Sequence, residues 1–197
     1  MGIQGIGRSA DVAGAWPGYL ARDGSCTPRP SLSLLASDSS PKARCDPCPA
    51  GSYQPSRGQS GCVTCPKGYF CIEGTSTPSP CRNGTYGSAT GLKNQRGCLQ
   101  CPQGSACPTG AAAPRACSPG TVAPEGGMDQ CKECPAGSFQ SAGNATSCEE
   151  CSKGAFCEAG ASAALPCASG TYGNTSGLES SADCQPCPKV KPSTLTL

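Results

Sequence analysis

"CDPCPAGSYQPSRGQSGCVTC", residues 45–65, holds two Cys-x-x-Cys pairs with thirteen residues between them. Taken alone it fits three chemistries: a four-thiolate zinc ribbon, a redox pair, or part of a disulfide framework. The surrounding text decides among them. Cys45, Cys48, Cys62, Cys65, Cys71, Cys81, Cys98 and Cys101 each recur 86 residues later, at Cys131, Cys134, Cys148, Cys151, Cys157, Cys167, Cys184 and Cys187. The words between agree, "CPAGSYQ" at 48–54 returning as "CPAGSFQ" at 134–140. A shorter period of 36 residues maps Cys62, Cys65, Cys71 and Cys81 onto Cys98, Cys101, Cys107 and Cys117. The chain is therefore an array of small cysteine modules, and a repeat of this kind sets the architecture.

Composition says what holds such an array together. Nine of the 197 residues are aromatic, whereas Gly, Pro and Cys number 27, 20 and 19. A chain with so little apolar surface to bury needs covalent or metal staples in place of a hydrophobic core. Cysteine at nearly a tenth of all residues belongs to oxidising compartments, extracellular or lumenal. The N-terminus "MGIQGIGRSADVAGAWPGYLARDGSC" shows no apolar stretch of signal-peptide type, so the sequence reads as a piece of a longer exported protein. No run approaches the ~20 apolar residues of a membrane helix. Fifteen basic and thirteen acidic residues give a net charge of +2 without a clustered positive stripe, and this sets nucleic-acid partners aside.

Most modules share one local phrase, Cys-Pro-x-Gly-x-aromatic or a variant: "CPAGSY" at 48, "CPKGYF" at 65, "CRNGTY" at 81, "CPAGSF" at 134, "CSKGAF" at 151 and "CASGTY" at 167. Pro after Cys fixes φ, Gly admits a positive φ, and the aromatic is then aimed by a tight turn. Seven of the nine aromatics sit in these phrases, where they read as structural stacking residues over neighbouring disulfides. No helical period survives between the Gly and Pro positions. The expected fold is small and disulfide-rich: an elongated tandem array of cysteine-stapled modules with minimal β-hairpins and little or no helix. Residues 1–44 read as an irregular N-terminal segment, 45–130 as a first repeat unit (modules near 45–61, 62–97 and 98–130), 131–188 as a second, truncated unit, and 189–197 as a tail.

"CRNGTYGSATGLKNQRGCLQCPQG" at 81–104 and its copy "CASGTYGNTSGLESSADCQPCPKV" at 167–190 resemble the ephrin-receptor-like cysteine-rich repeats of extracellular and cell-surface proteins. The likeness runs from about Cys45 to Pro188. More distantly, the opening phrase is similar to the start of tumour necrosis factor receptor modules. The resemblance implies an extracellular-type, disulfide-stapled scaffold; it does not imply ephrin binding, because function lives in sites grafted on folds.

If each phrase closes the loop it opens, the pairs are Cys48–Cys62, Cys65–Cys71, Cys81–Cys98, Cys101–Cys107, Cys117–Cys131, Cys134–Cys148, Cys151–Cys157 and Cys167–Cys184, with Cys26 and Cys45 left for each other. Spacing alone does not prove this connectivity. Cys187 has no mate, since position 193, where one is due, is Ser193. The rival assignment is zinc, held by Cys45, Cys48, Cys62 and Cys65 and again by Cys131, Cys134, Cys148 and Cys151, as paired thiolates on two turns suit a tetrahedral ion. It is weakened by the further cysteine six residues after each set and by the absence of histidine. A redox Cys-x-x-Cys would need a helix N-terminus in an α/β frame. Without histidine the usual base for a Ser or Cys nucleophile is missing as well, so no catalytic residue and no cofactor are expected.

Three sequons, at Asn83, Asn144 and Asn174, fit a surface exposed in a secretory lumen. Trp16 and Tyr19, in "AWPGYL", are candidate partner anchors, since aromatics are enriched at interface cores. The expected function is a non-catalytic extracellular or lumenal scaffold that contacts protein partners. One alternative is a peripheral subunit fastening a large membrane complex on its lumenal side; another is a zinc-binding module.

Overall fold

The structure is a computed structural model that describes residues 19–21, 45–57 and 59–189. The element that forms again and again is a very short antiparallel hairpin opened by Cys-x-x-Gly. Eight follow one another: Ser52–Tyr53 with Val63–Thr64, Tyr69–Phe70 with Ser79–Pro80, Thr85–Tyr86 with Leu99–Gln100, and Ser105–Ala106 with Arg115–Ala116. Then come Thr121–Val122 with Lys132–Glu133, Ser138–Phe139 with Glu149–Glu150, Ala155–Phe156 with Leu165–Pro166, and Thr171–Tyr172 with Gln185–Pro186. We refer to them as hairpins one to eight. The only helical turns among the described residues are two three-residue 3-10 turns, Gln95–Gly97 and Ser181–Asp183.

The opening phrase dictates each hairpin. In hairpin one the Ser52 N–H donates to the Pro49 carbonyl at 3.0 Å, closing a four-residue turn whose glycine, Gly51, has φ 95°. Such a φ is a residence for glycine rather than for a side chain. At the far end the Cys65 N–H returns to the Gly51 carbonyl at 2.9 Å. Turn and closure recur at every opening glycine through Gly170, to which Cys187 donates at 2.8 Å.

The core of this protein is sulfur. Among the described residues, ten cysteines are the largest fully buried side chains, joined in the interior by Ala106, Val122 and Ala123. Eight disulfides connect Cys48–Cys62, Cys65–Cys71, Cys81–Cys98, Cys101–Cys107, Cys117–Cys131, Cys134–Cys148, Cys151–Cys157 and Cys167–Cys184. Their sequence separations are only 6, 14 or 17. In the chain-entropy account, a loop of that middle size restricts the unfolded chain by about 3 kcal/mol, and the six-residue ones by about 2. Each staple thus acts inside its own hairpin, where aliphatic burial is lacking.

A two-stranded hairpin is marginal by itself, and here each is bonded to the next. The chain forms two compact units, Met1–Cys81 with Gly87–Cys98 and Arg82–Tyr86 with Leu99–Leu197. Within the first, hairpins one and two share three backbone bonds: Gly51 N–H to Cys71 O, Gln54 N–H to Thr75 O and Gly74 N–H to Cys48 O, at 2.8, 3.3 and 2.9 Å. Within the second, hairpins five and six repeat the set through Gly120 to Gln140, Ala123 to Ala145 and Asn144 to Cys117, at 2.7, 3.0 and 2.8 Å. Hairpins six and seven repeat it again. Stability is therefore shared between neighbours, as in other repeat proteins.

Two features differ from the sequence reading. The segment 1–44 is not wholly irregular: Tyr19–Ala21 forms a strand whose register sets Tyr19 opposite Pro47, Leu20 opposite Asp46 and Ala21 opposite Cys45. The hairpins also start at each opening cysteine, so the 62–97 stretch contains parts of hairpins one to three. Cysteine spacing reports the long period; the turn glycine marks where one hairpin stops.

Candidate interaction surface

Every hairpin treats its two strands differently. First strands are half-buried or buried except at Tyr172, which is exposed, while second strands are exposed, with Ser79 the one half-buried residue among them. The asymmetry follows from the bonds just described, since the first strand is the one that neighbours cover. What remains outside is a series of dipeptides on a constant frame: Val-Thr, Ser-Pro, Leu-Gln, Arg-Ala, Lys-Glu, Glu-Glu, Leu-Pro and Gln-Pro. Three place an aliphatic side chain in water, Val63 at 47%, Leu99 at 51% and Leu165 at 50% exposure. Each stands directly across the ladder from a half-buried aromatic, Tyr53, Tyr86 and Phe156 respectively. The aromatics thus back the exposed aliphatics from the other strand. Four first-strand aromatics also bridge to a later loop, as Phe70 does to Leu92 and Phe156 to Leu178.

Buried polar groups fix the loops between strands. Gln140, 6% exposed, donates from Nε2 to the Ser147 carbonyl at 2.7 Å, and its Oε1 accepts from the Ala142 N–H at 2.9 Å. Gln54 repeats both contacts, with Gly61 and Ser56. This is why "CPAGS-aromatic-Gln" ends in glutamine: the amide clips a hairpin loop too short to hold itself. Hairpin five has the same disulfide span and places the buried Ala123 there instead. The repeated glutamine was visible in the sequence, but its partners are backbone groups and leave no residue signature.

Asn144 is the one non-glycine with positive φ among the described residues, at 60°. Its Oδ1 accepts from the buried Ser105 hydroxyl at 3.1 Å, and its carbonyl lies against Gly104. Of the three sequon asparagines, Asn83 donates from Nδ2 to Asp129 Oδ2 at 3.2 Å, whereas Asn174 is exposed and makes no side-chain hydrogen bond among the described residues. Asp183 accepts from the Ser180 and Glu179 N–H groups at 2.9 and 3.1 Å and from the Ser180 hydroxyl at 3.2 Å. The Ser180 backbone bond, ahead of the others, holds its carboxyl below the ordinary range.

Seven of the eight sulfurs in the two zinc sets are disulfide sulfurs here, Cys48 with Cys62, Cys65 with Cys71, Cys117 with Cys131, Cys134 with Cys148 and Cys151 with Cys157. A sulfur so bonded is no thiolate ligand. The eighth, the Cys45 side chain, lies outside the described residues, as do Trp16 and Cys26, so the Cys26–Cys45 pairing and the Trp16 anchor fall beyond this description. Tyr19 is placed by its backbone alone. Cys187 is exposed and free.

The hairpin grammar has a counterpart among known families. Residues 37–78 match the family described as tyrosine-protein kinase ephrin type A/B receptor-like. That stretch is similar to an ephrin-receptor-like cysteine-rich repeat. The match takes in hairpin one and the opening strand of hairpin two. Its cysteines Cys45, Cys48, Cys62, Cys65 and Cys71 are five of the eight that return at an offset of 86. No curated protein matches the chain. No helix among the described residues is long and apolar enough to cross a membrane.

Proposed function

We propose that this protein is a non-catalytic extracellular or lumenal interaction scaffold, in which stapled hairpins present their second strands to a protein partner. The observation that carries the reading is the division of labour within each hairpin: an invariant Cys-x-x-Gly opening and a covered first strand, against an exposed dipeptide that changes from one hairpin to the next. A frame that stays constant while its outward residues vary is suited to recognition, because the side chains of the second strands are mostly turned to solvent. Val63, Leu99 and Leu165 are the proposed anchors, since an aliphatic side chain held in water recovers its hydration cost when a partner covers it.

Capture of partners from the native source, followed by Val63→Ser, Leu99→Ser and Leu165→Ser together, tests this. The expected result is a bound partner at fixed stoichiometry that is lost in the triple variant while the disulfide pattern is unchanged. Full retention of the partner by the triple variant would refute it. Near-stoichiometric zinc with reduced thiols would favour the metal-binding alternative instead.

A further inference from the structure

Of the eight opening glycines only Gly84 follows an asparagine, and Asn83-Gly84 is the one Asn-Gly pair in the chain. Its counterpart 86 residues later is Ser169-Gly170. Asparagine is a chemically labile residue, because its side-chain carbonyl carbon lies within reach of the backbone nitrogen that follows it. A glycine in that place sets no side chain in the way and lets the backbone turn freely. The pair therefore brings together an electrophile and a nucleophile in neighbouring residues.

The fold occupies both groups. The Gly84 N–H donates to the Cys107 carbonyl of hairpin four at 2.8 Å, a bond to later chain that every opening glycine from Gly51 to Gly154 makes. The Asn83 amide donates from Nδ2 to Asp129 Oδ2, in the loop of hairpin five, at 3.2 Å. The turn itself is closed by the Thr85 N–H to the Arg82 carbonyl at 3.0 Å. Gly84 is buried and a methyl built on it would strike the Gly127 carbonyl, while Asn83 and Asp129 are exposed. A backbone nitrogen held in this way is no nucleophile, so any reaction between the two groups waits on a local opening of the junction of hairpins three, four and five.

We infer that Asn83-Gly84 is a deamidation site that this junction holds shut. On opening, the Gly84 nitrogen gives up its proton and attacks Asn83 Cγ. The N–Cγ bond forms, the Cγ–Nδ2 bond breaks, and ammonia leaves with a proton in place of the one lost. Water then opens the cyclic imide. Attack at Cγ restores the main chain with aspartate at position 83; attack at the former backbone carbonyl gives isoaspartate, whose link to Gly84 runs through Cγ and adds a carbon to the main chain. Either product exchanges the Nδ2 donor for a carboxylate facing Asp129, so that an attraction becomes a like-charge repulsion. The isoaspartate also lengthens the turn that Thr85 and Arg82 close. No disulfide is touched, and the chain keeps a one-way record of how often this junction has opened.

Peptide mapping of the full chain, with amide-to-acid mass gain and isoaspartate content read at each of its four asparagines, tests the proposal on the oxidised folded chain and on the reduced, alkylated one. In the unfolded chain Asn83 should convert ahead of Asn94, Asn144 and Asn174. In the folded chain the same conversion should be at least about tenfold slower, as breaking the Gly84–Cys107 bond requires. Asp129→Ala leaves that bond in place and should speed the folded reaction by no more than about fivefold. Cys101→Ala with Cys107→Ala loosens the strand that accepts it and should bring the rate towards the unfolded one. If that pair does not fold, denaturant below the unfolding midpoint serves instead, since it raises the open fraction of the intact chain. Equal rates in folded and unfolded chains, an Asn83 that outlasts the other asparagines when unfolded, or a glycan filling Asn83 in the native protein would overturn the inference. None of these outcomes bears on Val63, Leu99 and Leu165, whose contact with a partner has its own test.

Discussion

At the scale of single residues, the opening glycines divide into two groups that a substitution can tell apart. Alanine at any of them meets the left-handed backbone penalty of roughly 1–2 kcal/mol. At Gly51 the new methyl would also strike the Gly91 carbonyl, whereas at Gly154 it enters open space. Gly51→Ala should therefore lower the denaturation midpoint clearly more than Gly154→Ala, with disulfides intact in both; equal losses would show that packing against Gly91 is unimportant. Gln140→Ala removes two hydrogen bonds made by a buried side chain and should cost about 1–3 kcal/mol, measured the same way. The Asp183 carboxyl, held below its ordinary value near 3.8, stabilises the 3-10 turn when ionised. Its folded value lies below its unfolded one, so the contribution is complete above the ordinary aspartate range and disappears as pH falls through the lowered value. The Ser180 amide resonance should thus hold steady from neutral pH down to about 4 and shift only below that; a midpoint at or above the ordinary value would contradict the assignment. Asn174, exposed and without a side-chain hydrogen bond among the described residues, is the sequon expected to carry a glycan first on passage through a secretory lumen, ahead of Asn144, whose Oδ1 is held by Ser105. An intact-mass and peptide analysis showing Asn144 occupied and Asn174 bare would reverse that order.

At the scale of the element, the hairpin was legible where its chemistry is local and illegible where it is not. The turn at Cys-x-x-Gly can be read directly, because a positive φ within four residues of a cysteine demands glycine at one place. The eight bonded pairs in the structure are those that close each loop nearest its opening, which the 6-, 14- and 17-residue separations allow without long-range folding. The module boundaries were harder. Periods of 36 and 86 residues describe how cysteine spacings repeat, but hairpins begin at the opening cysteine, and one long period holds several. The strand at Tyr19–Ala21 gave no signal either, since its partner Cys45–Pro47 lies more than twenty residues away and three residues carry no periodicity. The exposure of the second strands was hidden for a different reason: nothing in "SGCVTC" or "RGCLQC" states that the residues after the cysteine face water until the neighbouring hairpin is seen to cover the other strand.

At the scale of the whole molecule, function follows from what the staples leave free. With cysteine as the interior, the fold leans little on its outward residues, and each hairpin can present its second strand for recognition. The same arrangement lets charge drift from basic to acidic along the chain without destabilising any one hairpin, since every charged side chain in the hairpins is exposed. The whole account depends on the sulfurs being oxidised in the nearest-neighbour pattern. It is tested most directly by a non-reducing peptide map of the purified chain, with thiols counted after denaturation and bound metal measured on the same sample. The account predicts the eight local disulfides from Cys48–Cys62 to Cys167–Cys184, a free thiol at Cys187, and no stoichiometric metal. Four or more free cysteines accompanied by near-stoichiometric zinc would contradict it.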